Sequence, residues 1–142
     1  MQSVHPIFVH FPIALLLSAL AVEGFALALK RPGLHRVSLW NLGLGTAGAA
    51  AAVLTGLQAQ KVAKHSFEIW KVMELHERLG ITTLILGLMA TGLRLVKRDQ
   101  LGPRLRLIAF ILMLGMASSL VAGGYLGGRL VYELGVGGRF GR

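Results

Sequence analysis

The residues of this chain best suited to chemistry are histidines: His5 and His10 in the opening HPIFVHFPIALLL, His65, and His76 in ELHERLG. A histidine one turn inside hydrocarbon loses hydration free energy unless something binds it, so His10 needs a partner, and His76 is the best candidate. Two neutral imidazoles on facing helices are the protein's share of a b-type haem site, and the same groups take copper or zinc. The absence of cysteine removes thiolate metal sites, iron–sulfur ligation and disulfides, leaving histidine, methionine and carboxylate as ligands. Glu77 beside His76 does not complete HExxH, and there is no serine or cysteine hydrolase constellation and no P-loop signature.

The elements that must position these residues are strongly apolar. Of 142 residues 54% are hydrophobic and 15% charged, with 19 glycines, a composition that reads as an integral membrane protein. Four runs each approach the ~20 residues that cross the hydrocarbon core. They predict an all-α polytopic protein, an antiparallel four-helix transmembrane bundle forming one domain over residues 1–142, with spans near 6–29, 38–59, 72–96 and 104–127. No basic stretch precedes Ile7 and the first run is a full span, so the first helix is expected to stay in the mature protein. The net charge of +9 would suggest nucleic acid in a soluble chain. Here the cations sit mainly in connections and at span ends, so a lipid bilayer, not nucleic acid, is the expected partner.

Within the first span, Pro6 suits a first helical turn and Pro12 allows a kink near His10. The face of His10 also carries Ala14, Leu17, Ala21 and Gly24, and these small residues are expected to meet other helices. His5 lies about 140° round the helix from His10, so the two cannot share a face. Glu23 is the only acid inside a span and is expected to pair with Arg94 near the same membrane side; failing that, it becomes a proton or substrate site. KRPGLHR, Lys30 to Arg36, reads as a tight basic turn, with His35 in solvent or among headgroups. The second span is rich in glycine and alanine, and Trp40 belongs at the interface.

From Gln58 to Arg78 the chain is polar, but its second half is amphipathic. Ile69, Val72, Met73, His76, Leu79 and Gly80 follow helical spacing, with Thr83 and Gly87 continuing the stripe, so His76 should face the bundle interior. VKRDQLGPRLR is a second basic turn. The fourth span carries two overlapping GxxxG spacings, Gly123 with Gly127 and Gly124 with Gly128, which favour close helix contact and could support a homo-oligomer. Tyr125, Arg129 and Tyr132 follow at the interface, then a glycine-rich tail.

HPIFVHFPIALL at the start, HxxxG at His76 to Gly80, and GYLGGRLVYELGVG near the end together resemble the bacterial four-helix membrane family catalogued as domain of unknown function 2231. The resemblance covers nearly the whole chain. It implies a bacterial inner-membrane protein. Relatives joined to Rieske or c-type cytochrome modules imply respiratory redox partners. Many relatives carry a histidine just before the terminal Gly-Val, where this chain has Leu134, which argues against a ligand at that position here.

Three readings are open. In the first, His10 and His76 bind one haem b in an electron carrier rather than an enzyme with its own substrate. Ala14 and Gly80 give room for the macrocycle, and Lys71, Arg78 or Arg129 reach its propionates. The two histidines then differ in depth by about 9 Å, which tilt or offset must absorb. In the second, copper or zinc binds His10 and His76, with His5, His65 or Met73 adding donors or a second site. In the third, the chain is a cofactor-free scaffold subunit. Four spans put both termini, His5, His10, His65 and His76 on one side. The two short turns, with Lys30, Arg31, Arg36, Arg94, Lys97, Arg98, Arg104 and Arg106 in or near them, lie on the other. The positive-inside rule makes that other side cytoplasmic.

Overall fold

The computed structural model describes residues 5–60, 66–97 and 100–136, except for the side chains of 5–8 and 60. Four helices account for nearly all of it: α1 His5–Ala28, α2 Pro32–Gln60, α3 Phe67–Val96 and α4 Pro103–Tyr132. At 24 to 30 residues, each exceeds the ~20 residues a span requires. Large apolar side chains such as Phe25, Leu54, Ile85, Leu88, Ile111 and Val121 point outward, as lipid allows and water does not. The chain is an all-α, four-helix membrane bundle.

Three helices outrun their apolar runs, because backbone hydrogen bonding does not stop where hydropathy falls. α2 starts at Pro32, inside the stretch expected to be a turn; Lys30 turns the chain with φ 51°, and a proline at a first helical position needs no N–H partner. α3 starts at Phe67, where the Ser66 hydroxyl caps the Ile69 amide at 3.3 Å. α4 runs on to Tyr132 and closes at Gly135, whose φ of 67° lets the Val136 amide return to the Leu130 carbonyl at 2.8 Å.

The helices form a ring: α1 packs on α2, α2 on α3, α3 on α4 and, more sparsely, α4 on α1. Among the described residues α1 and α3 are diagonal, without close backbone approach. The centre is filled by Leu16, Ala19, Leu42, Ala49, Ala90, Met113 and Met116. The α1–α2 seam depends on Gly45, where a Cβ would lie 2.7 Å from Leu16 Cδ2 and 2.8 Å from its Cγ. Gly45→Ala is therefore expected to destabilise the bundle by about 1–3 kcal/mol in chemical unfolding, since Leu16 is fully buried and has nowhere to retreat. Wild-type stability in that variant would mean the seam opens freely.

Candidate functional site

The bundle has two polar ends. At the first, α3 presents the expected stripe: Met73, Thr83 and Gly87 are buried, and His76, Leu79 and Gly80 half-buried. His76 Nδ1 lies 2.8 Å from the Gly123 carbonyl of α4. A carbonyl oxygen only accepts, so Nδ1 carries the proton and, in the neutral ring, the basic lone pair is on Nε2. A bond of this kind, from the ring nitrogen away from the metal to a backbone carbonyl, is the one that orients a metal-ligating histidine. Gly127 admits the ring: a Cβ there would stand 3.0 Å from His76 Cε1. Of the two GxxxG pairs, Gly123 and Gly127 thus serve the histidine, whereas a Cβ on Gly124 or Gly128 would meet nothing within 4 Å.

On α1 the inward face differs from expectation. The buried stripe is Pro12, Leu16, Ala19, Glu23 and Ala26, while His10, Ala14 and Ala21 are exposed. α1 is apolar nearly all round, so periodicity could not pick its inner face. Position 5 lies one heptad before Pro12 on α1. Gly45 and Gly48 sit beside Leu16 and Pro12, and Gly80 and Gly87 beside Val53 and Thr46. Carried through α2, this pairing sets the His10 backbone level with Thr83, about 10 Å from the level of His76, and the backbone of His5 within about 3 Å of it. The depth offset expected for His10 therefore persists.

Two of the three cations expected near this end, Arg78 and Arg129, already have partners. Arg78 pairs with Glu74 at 2.6 Å and Arg129 with Glu133 at 2.8 Å, both one turn apart along an exposed helix face. Met73 is buried on the α3 stripe, and His65 lies outside the described residues. Among the described residues no three His, Asp or Glu side chains form a group able to hold a metal ion.

At the other end all four helices meet on one carboxylate. Glu23 of α1, 3% exposed, takes Arg94 Nη1 of α3 on Oε2 at 3.1 Å. Its Oε1 takes His35 Nδ1 of α2 at 2.8 Å, and Arg106 Nη1 of α4 stands 3.6 Å away. Arg94, 1% exposed, also donates to Ser38 Oγ at 3.0 Å and to the His35 carbonyl at 2.6 Å. Ser38 in turn donates to the Ala19 carbonyl at 2.9 Å. The expected Glu23–Arg94 pair is present. His35, expected in solvent or among headgroups, is instead built into the cluster, because α2 begins at Pro32 and carries it inward. The early start of that helix was the signal missed, and Pro32 itself could have supplied it.

The family model for predicted membrane proteins designated DUF2231 matches residues 1–139. The chain belongs to this family. No curated protein and no solved structure matches it. In this DUF2231 protein the terminal GYLGGRLVYELGVG has three structural duties: Gly127 seats His76, Arg129 binds Glu133, and Gly135 closes α4.

Proposed function

We propose that this DUF2231 chain is a membrane-embedded b-type haem protein that passes electrons to respiratory redox partners, with His76 as one axial ligand. The observation that carries this reading is the His76 Nδ1–H bond to the Gly123 carbonyl, which leaves Nε2 as the coordinating atom. Haem brings four of its iron's donors itself and asks two of the protein, so two imidazoles suffice, whereas zinc sites take three or four protein donors. The second ligand comes from α1 across the diagonal, a gap of about 11–14 Å if neighbouring axes are 8–10 Å apart. The sequence points to His10, but backbone level favours His5, which lies within about 3 Å of the level of His76 against about 10 Å for His10. Bound haem would supply one-electron exchange between ferric and ferrous iron, while the protein fixes the imidazole tautomer and excludes water with its apolar walls.

Optical spectra of protein made with ample haem, oxidised and dithionite-reduced, test this. A Soret band with sharp low-spin α and β bands on reduction is expected. A protein that takes up no haem yet retains stoichiometric copper or zinc would replace the reading with a metal-handling one.

The proposal also sets the protein in a bacterial inner membrane with both termini and the histidine end outside the cytoplasm, because the eight cations in and around the short turns favour the cytoplasmic side. Single cysteines at Gly33 and Gly102 should react with an impermeant maleimide only from the cytoplasmic face, and one at Ser66 only from the outside. The reverse pattern would invert the orientation.

A further inference from the structure

Beside the Glu23 cluster an open groove of about 320 Å³ runs between the end of α1 and the start of α4, lined by Leu27, Leu101, Pro103, Arg106 and Leu107. We propose that this groove binds an anionic phospholipid, its phosphate on Arg106 and an acyl chain along Leu27 and Leu107. The proposal is independent of the haem reading.

Three observations support it. The first is charge: this end of the chain carries eight Lys and Arg against two acids, Glu23 and Asp99, so it attracts anionic headgroups whatever the local pairing of any one residue. The second is depth. Arg106 lies in the first turn of α4, just past the Gly102–Pro103 corner, and so at one end of a candidate span, where cationic side chains commonly meet headgroups. The third is orientation. Arg106 is 18% exposed, lines the groove and has Nη1 3.6 Å from Glu23 Oε1, so its charge stands between the carboxylate and the groove. With five donors in a planar fork, it can engage a carboxylate and a phosphate together. The four apolar lining residues decide between a lipid and a free phosphate, because an inorganic ion gains nothing from Leu27, Leu101, Pro103 and Leu107.

Delipidated full-length protein in detergent micelles would be titrated with dioleoyl phosphatidylglycerol, dioleoyl phosphatidylcholine or inorganic phosphate, with bound lipid counted by native mass spectrometry. Phosphatidylglycerol should bind about tenfold more tightly than phosphatidylcholine, and millimolar phosphate should not displace it. Arg106→Gln should shrink the preference to about twofold or less. Leu107→Trp, which fills the groove and leaves the ionic cluster untouched, should lower phosphatidylglycerol occupancy. Equal retention of the two lipids, an unchanged preference in Arg106→Gln, or displacement by phosphate alone would each overturn the proposal. If Arg106→Gln does not fold, Leu107→Trp decides: occupancy equal to wild type overturns the site, and loss of bound phosphatidylglycerol supports it.

Discussion

Arg94→Ala is expected to cost the bundle about 3–5 kcal/mol, the largest effect of any single substitution at the basic end. The residue is 1% exposed, pairs with the Glu23 carboxylate of α1 at 3.1 Å and donates to Ser38 Oγ and the His35 carbonyl of α2. Truncation strands the Glu23 carboxylate, 3% exposed, with less compensating charge in a low-dielectric interior, and an uncompensated buried ion is far costlier than an absent pair. The discriminating comparison is therefore the double variant Glu23→Leu with Arg94→Leu, which should recover much of the loss. Arg94→Lys should recover little, because a point charge cannot keep the ion pair and both hydrogen bonds to α2 that a planar fork serves together. Unfolding in mixed micelles, followed by circular dichroism, measures all of these. Should Arg94→Ala unfold within about 1 kcal/mol of wild type, the cluster is a surface-like pairing and not the clamp of the four helices.

His76→Ala is expected to abolish low-spin haem binding while leaving the helical content of the protein intact. The ring is held from α4 by one hydrogen bond and one glycine, so its loss empties a small polar seat without disturbing the buried centre. Two further variants separate a ligand from a packing residue. Gly127→Val keeps every imidazole but drives a side chain into a ring only 3.0 Å from where a Cβ would stand. It should lower haem occupancy and broaden or shift the Soret band, an effect a bystander histidine would not produce. His35→Ala, at the far end, should weaken folding and spare the spectrum. On α1, His5→Ala should convert or lose the low-spin species, with His10→Ala milder. The opposite order would restore the His10–His76 pairing, and no change in either would remove α1 from the site. Wild-type protein with no Soret band after expression in excess haem would end the reading altogether.

Much of this architecture is dictated by composition. Four apolar runs joined by two short basic turns and one longer polar connection predict four helical spans, because a lipid-exposed backbone must satisfy its own hydrogen bonds. The pairing of Glu23 with Arg94 was legible because an acid inside one span and a cation near the same end of another are each costly alone in hydrocarbon. The α3 stripe through His76 was equally legible, because polar residues mark its opposite face. Three features waited on tertiary structure. The inward face of α1 is one: with hydropathy nearly uniform round the helix, the face is decided by Leu16 seating against Gly45 and by Pro12 against Gly48, contacts on a partner helix that no local pattern encodes. His35 is another, drawn from a presumed loop into a buried cluster by a helix start ahead of the apolar run. The third is the carbonyl that sets the His76 tautomer, which belongs to Gly123, 47 residues along the chain. Periodicity reads a helix against its surroundings, whereas a hydrogen bond between helices depends on the register in which two of them pack, and glycine contacts set that register here.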